Sequence, residues 1–190
     1  MCHATTTYHL PPTTCHLPPT TYHLPPVNFK HYSSTTPNQQ LEIGKLGEQL
    51  VAQWLKAQNW LILAYRWRCR WGEIDLIAQR GASKQLMLAF VEVKTRSWRN
   101  WDDNGLLAIT PQKQAKLWQT AELFLSENPE MADFSCRFDV ALVSCEHLSP
   151  TSNSSAVDDL LQVSSVQLGK PVFVTNYKLI LRDYIPSAFD

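Results

Sequence analysis

The run FVEVKTR, residues 90–96, sets Glu92 and Lys94 two positions apart in an otherwise apolar segment. Side chains in a strand alternate with a period of two, so this carboxylate and this ammonium share one face. Upstream, EIDLIAQ (residues 73–79) carries a second acid, Asp75, among apolar neighbours. Two carboxylates brought close repel, and without a counter-ion one of them keeps its proton. A divalent cation removes the conflict. Mg²⁺ (or Mn²⁺) takes oxygen ligands and binds through one or two carboxylates together with substrate phosphate. Asp75 and Glu92 are then candidate metal ligands, with the Val93 carbonyl as a third donor. Lys94 is a candidate catalytic residue that holds an attacking water or neutralises charge on phosphorus. Bound metal lowers the pKa of its water and polarises a phosphoryl oxygen. The plain alternative is a surface ion pair between Glu92 and Lys94, worth ~0–1 kcal/mol. That reading leaves Asp75 without a purpose.

These residues meet only if the chain folds back on itself. EIDLIAQ and LMLAFVEVK (residues 86–94) are joined by RGASKQ, a turn by composition, so they are expected to form an antiparallel hairpin. A turn centred between Ser83 and Lys84 puts Asp75 opposite Glu92, with Cβ atoms about 5 Å apart. Alternation in the first strand assigns Ile74, Leu76 and Ala78 to one face, and Glu73, Asp75 and Ile77 to the other. Before the hairpin, Ile43, Leu46, Leu50 and Trp54 recur at helical spacing from Leu41 to Gln58. Glu48 lies on this helix with Gly44 and Ala52 a turn away on either side. Small neighbours leave room above the Glu48 carboxylate, which could reach the metal through water, although a solvated Glu is the ordinary fate of that residue on a helix. WLILAYR (60–66) is a short core strand. Thr110 and Pro111 open a second helix with Ala115, Trp118, Ala121 and Leu125 on its expected buried face. CRFDVALV (136–143) and PVFVTNYKLILRDYI (171–185) supply further strand. The order of helix, three strands, helix and more strands predicts an α/β (or α+β) domain around a mixed sheet.

Global charge is uninformative, since 17 Lys and Arg balance 17 Asp and Glu over 190 residues. Between Trp60 and Thr120 the balance changes, with ten cations against five acids. Two of those acids are the candidate ligands, so the excess suits a polyanion approaching carboxylates. Arg66, Arg68 and Arg70 fall at every second position, and with Arg96 and Lys113 they are the candidate nucleic-acid contacts. Trp67, Trp71, Trp98 and Trp101 interleave with these cations, as base-stacking surfaces do; at least half of them are better read as core. No apolar run is long enough to span a bilayer, and the start lacks the pattern of a secretory signal. The five cysteines (Cys2, Cys15, Cys69, Cys136 and Cys145) have no CxxC spacing. Free thiols in a reducing cytoplasm are the expectation.

Residues 6–26 read TTYHLPP, TTCHLPP, TTYHLPP. Two prolines in each unit forbid a continuous helix. The histidines there suggest metal binding, but a translated short DNA repeat explains the period better. Residues 1–40 are therefore expected to be a disordered tail, and 41–190 one domain with a Ser-rich insertion at about 149–170.

Taken together, RWRCRWGEIDLIAQ, FVEVKTR, AITPQKQAKL and CRFDVALV resemble the YraN-like family of bacterial proteins. The likeness runs from about Gly44 to Val143, with a weaker echo in YIPSAFD at the end of the chain. It implies a restriction-endonuclease-like fold of the PD-(D/E)XK type, related to archaeal Holliday-junction resolvases. It maps the family's acid and Glu-x-Lys pattern onto Asp75, Glu92 and Lys94, and the helical acid onto Glu48. A homodimer and a DNA substrate, plausibly branched, are implied by the same resemblance. The chain departs from the family in SWRNWDDNGLLAIT, where Asp102 and Asp103 oppose DNA, and in the tail and the Ser-rich insertion. Two functions follow as expectations. The first is a metal-dependent nucleic-acid phosphodiesterase. The second is a binding module that kept the fold without cleaving, because a fold does not fix an activity.

Overall fold

Apolar periodicity builds one helix for each face of a sheet. The computed structural model describes residues 37–82, 85–97, 109–148, 165–174 and 176–189. Expectations for the repeat tail, the turn centre at Ser83 and Lys84, Trp98, Trp101, Asp102, Asp103 and most of the Ser-rich insertion fall outside them. The elements are α1 (Pro37–Ala57), β1 (Leu61–Cys69), β2 (Gly72–Arg80), β3 (Met87–Ser97), α2 (Pro111–Glu127), β4 (Ser135–His147), β5 (Pro171–Val174) and β6 (Tyr177–Phe189). They form a six-stranded sheet in the order β1-β2-β3-β4-β6-β5. Among the described strands only β3 and β4 pair in parallel. Parallel neighbours need a long crossover, and α2 lies within it. The fold is a mixed α/β sheet flanked by two helices, as the element order predicts.

Each helix seals its own core. Leu50, Val51, Ala52 and Leu55 of α1 pack with Leu76, Ala78, Ala89, Val91, Ala141, Val143, Leu179 and Leu181 on one face. On the other face, Leu117, Ala121 and Phe124 of α2 meet Ile74, Ile77, Leu88, Phe90 and Phe138. The elements are longer than the apolar pattern alone suggested. Helix α1 begins at Pro37 rather than Leu41, and β1 continues to Cys69.

The buried face of α2 differs from the expected one. Ala115 is exposed and Trp118 is 42 % exposed, whereas Leu117, Thr120, Ala121 and Phe124 are buried. Trp118 fits the helical spacing of either face. Its ring leans on Phe138 at 4.6 Å, where a large indole covers apolar surface without full burial. The N-terminal cap is as expected, with Thr110 Oγ1 accepting the Lys113 N–H at 3.3 Å.

Face alternation also breaks in β2. Ile74 joins the core under α2 with Ile77, not the one under α1 with Leu76 and Ala78. The β1–β2 ladder runs Tyr65↔Leu76, then Trp67↔Ile74, passing over the pair Arg66 and Asp75. Arg66 has φ +47°, a left-handed conformation uncommon outside glycine. This kink turns the ribbon over, so the residues beyond it change face.

Candidate functional site

Asp75 sits at that kink, and the β2–β3 ladder also stops beside it. Pairing runs from Arg80↔Met87 to Leu76↔Val91, the register that a turn centred at Ser83 and Lys84 requires. One more step would pair Asp75 with Glu92. Instead the strands part, and Asp75 Oδ2 accepts the Val93 N–H at 2.7 Å. A carboxylate thus replaces a ladder carbonyl. The N–H and C=O of one strand residue point to the same side, so the Val93 carbonyl also faces the opening between β2 and β3.

Glu92 and Lys94 lie on the face that α2 covers. Lys94 Nζ donates to Glu92 Oε1 at 2.6 Å. From α2, Lys113 Nζ approaches Glu92 Oε2 at 3.2 Å. That contact is an ion pair without hydrogen-bond geometry, so Oε2 is a buried oxygen that accepts no hydrogen bond. Cap and helix explain the reach of Lys113: Thr110 fixes the start of α2, and the third helical residue then faces β3. In the sequence Lys113 stood out only as a cation for nucleic acid. Its pairing with Glu92 depends on the β3–α2–β4 crossover, which composition does not reveal.

Glu48 enters from the other face. It is 7 % exposed, comparable with Asp75 at 8 % and Glu92 at 4 %. Arg66 Nε and Nη2 each donate to its carboxylate at 2.7 Å, a two-pronged pair. The room above Glu48 expected from Gly44 is therefore taken by the Arg66 guanidinium, which lies 3.6 Å from a Cβ built on Gly44. Glu48 still contributes to the field at Asp75. Arg66 holds an acid of the cluster, whereas Arg68 is exposed and pairs with Glu73 at 2.8 Å. Arg70 lies over the exposed Trp71 ring at 4.9 Å, and Arg96 is exposed near the end of β3. Trp67 is core, edge-on to Phe124 at 5.5 Å.

Electrostatics mark Asp75 as the strained member. Burial, then the neighbouring Glu92 charge, raise its pKa from 3.8 to about 7, against the stabilising Val93 N–H; Glu48 adds to the rise and Lys113 opposes it. Three acids and three cations thus converge where two strands part. A divalent ion fits part of this set. Glu92 Oε2 lacks a hydrogen bond, and the Asp75–Glu92 repulsion is what a cation relieves. Glu48, already chelated by Arg66, is not a free ligand. Among the described residues no group of three or more His, Cys, Asp or Glu is disposed to hold a metal ion. Two carboxylates match a hydrated Mg²⁺ that keeps waters and leans on substrate phosphate, and not a closed protein cage.

Comparison with known proteins adds a family. The model of the uncharacterised protein family UPF0102 matches residues 47–143, a span that begins beside Glu48 and contains Asp75, Glu92, Lys94 and Lys113.

This chain belongs to UPF0102.

A UPF0102 protein of Acaryochloris marina is 53 % identical over 162 residues, covering 80 % of this chain and 94 % of the relative. One from Trichodesmium erythraeum is 48 % identical over 167 residues, 82 % of this chain and 93 % of the relative. Another, from Trichormus variabilis, is 48 % identical over 151 residues, 79 % and 95 %. The matched span of the UPF0102 family ends at Val143, so it covers α1 from Gly47 through most of β4. No helix among the described residues is long and apolar enough to cross a membrane.

Proposed function

We propose that this UPF0102 protein is a metal-dependent phosphodiesterase acting on DNA. The observation that carries the reading is the Asp75–Glu92 pair, buried at a strand opening and flanked by Lys94 and Lys113. A divalent ion held by Asp75 and Glu92 would supply Lewis-acid polarisation and an acidified water. The remaining work falls to the chain. Lys94 takes one oxygen of Glu92; Oε2, ion-paired with Lys113 but without a hydrogen bond, and the Asp75 carboxylate are the oxygens an incoming ligand would meet. With substrate present, Lys94 and Lys113 offer ammonium donors to the non-bridging phosphate oxygens. Such preorganised donors act where charge develops during displacement. Arg66 grips the Glu48 carboxylate through two hydrogen bonds, so that Glu48 acts on Asp75 through its field without competing as a ligand. Exposed Arg68, Arg70 and Arg96 extend the cationic surface along which a phosphate backbone is drawn. The mixed α/β sheet with a helix on each face is consistent with the restriction-endonuclease-like architecture.

A non-cleaving DNA-binding module is the second reading. One observation favours it: both Glu92 oxygens face lysines and Glu48 faces Arg66, so two of the three acids are neutralised without metal. Cleavage of linear, flapped and four-way-junction DNA, titrated with Mg²⁺ and Mn²⁺, separates the two. The enzyme reading expects cutting that Asp75→Asn and Glu92→Gln each abolish while DNA affinity in chelator holds or rises. Lys94→Ala should lower the rate on the order of 10²-fold, as for other preorganised donors, with a smaller loss of affinity. If no metal and no DNA form is cut while salt-dependent binding persists, the module reading replaces it.

A further inference from the structure

Away from the strand opening, cations gather at a second place in the sheet. Arg80 ends β2 and Arg137 stands near the start of β4, joined through Met87, which pairs with both Arg80 and Ser135. Five residues along β2 separate Arg80 from Asp75, roughly 17 Å at a strand's rise per residue. Here a cavity of about 260 Å³ opens, lined by Trp54, Trp60, Arg80, Arg137, Tyr184 and Pro186.

The Arg80 and Arg137 guanidiniums lie 5.9 Å and 5.0 Å from the centroid of one ring, that of Trp60. The indole attracts each cation, but it does not cancel their mutual repulsion. Asp139 answers only Arg137, at 3.0 Å. It cannot turn toward Arg80, because its oxygens also accept the Tyr184 hydroxyl at 2.6 Å and the Ser187 N–H at 2.9 Å. Among the described residues no carboxylate forms an ion pair with Arg80. The cavity therefore holds one positive charge without a carboxylate partner, set against an aromatic wall. The chemistry that completes such a site is an anion with a flat body. A guanidinium fork matches phosphate, and the Trp54 and Tyr184 rings, 4.6 Å apart, present π surface for a base. The volume lies below the ~300–1,000 Å³ of drug-sized pockets, which favours a ligand no larger than one base, one sugar and a charged group.

We propose that this cavity binds a single nucleotide unit, with its phosphate between Arg80 and Arg137 and its base against the Trp54–Tyr184 pair. Neither Asp75 nor Glu92 takes part, so the site stands whether or not the chain cleaves DNA. The unit is either a free mononucleotide or the 5′-terminal nucleotide of a strand.

Calorimetric titration of the full chain in EDTA, where metal chemistry is silent, tests this directly. AMP is expected to bind once per chain, with adenosine and inorganic phosphate each at least tenfold weaker. Arg80→Gln should weaken AMP at least tenfold without moving the melting temperature, because Arg80 is exposed at the end of its strand. A 5′-phosphorylated tetranucleotide that binds more tightly than AMP assigns the site to strand ends; equal or weaker binding assigns it to free nucleotide. Absence of saturable AMP binding into the millimolar range overturns the proposal, as does binding indifferent to Arg80→Gln or matched by phosphate alone.

Discussion

Asp75 bears an electrostatic penalty whose direction can be measured. Its folded pKa of about 7 exceeds the ordinary 3.8, so the native state binds the proton more tightly than the unfolded chain. Stability from this group is then fully present below about pH 4 and is lost as pH rises toward 7. A pKa that differs by one between folded and unfolded chain is worth about 1.4 kcal/mol, so the effect of the full interval is on the order of a few kcal/mol. Asp75→Asn should leave the metal-free protein more stable than the parent at pH 8, with the two converging near pH 4. Denaturant melts across that range check it, and parallel curves would remove the account. Mg²⁺ at pH 8 should stabilise the parent and not the variant, because only a ligand of the native state shifts the equilibrium. Lys113 acts in the opposite sense. Since its charge lowers the Asp75 pKa, Lys113→Ala should raise it further; carboxyl NMR titration reads this directly.

At the scale of elements, α1 is held against β3 by closeness as well as by apolar contact. A Cβ built on Gly47 would collide with Thr95 Oγ1 and come within 3.1 Å of Thr95 Cβ. Gly47→Ala should therefore destabilise the domain by about 1–3 kcal/mol through overpacking, with part of the loss recovered when Thr95→Ala is added. Thermal melts of both variants, read against Thr95→Ala alone, test the pairing. Much of this arrangement was legible in advance. Strict alternation in EIDLIAQ and LMLAFVEVK, with turn residues between them, set a register that the ladder follows. Thr110 and Pro111 marked the start of α2. What the pattern could not supply was the left-handed Arg66, since nothing in RWRCRWG replaces an arginine with the glycine such a backbone favours. The kink moves Ile74 to the other face and opens the strands around Asp75. Hydrophobic spacing erred on α2 because Trp118 and Leu117 fit neighbouring stripes, and only packing against Phe138 and Phe90 decides between them. The Arg66–Glu48 and Lys113–Glu92 pairs join elements distant in sequence, and periodicity carries no information about such contacts.

For the whole molecule, charge is neutral in sum and uneven in place. If DNA is drawn along the exposed arginines of β1, the turn after it and β3, affinity should fall steeply with salt, the logarithm declining about 0.9 for each phosphate neutralised. Arg68→Ala, Arg70→Ala and Arg96→Ala should each reduce that slope by about one, with melting temperatures unchanged. Binding measured from low to moderate salt reads the slope, and a flat dependence would exclude an electrostatic track. Removal of residues 1–36 should leave both the melting temperature and DNA affinity intact. The TTYHLPP-type repeats have no apolar periodicity with which to join a core, and α1 begins at Pro37.

The position of β6 has a consequence for synthesis. It comes after every other element in the chain, yet it lies inside the sheet between β4 and β5. As the polypeptide leaves the ribosome, α1 through β4 emerge first and can assemble, but the open side of β4 has no partner until Tyr177–Phe189 follows. During that interval the nascent domain presents a bare β4 edge, with its backbone donors and acceptors unpaired. A ribosome stalled between β4 and β6 would hold the chain at its stickiest, and chaperone demand should peak there rather than at the repeat-rich beginning.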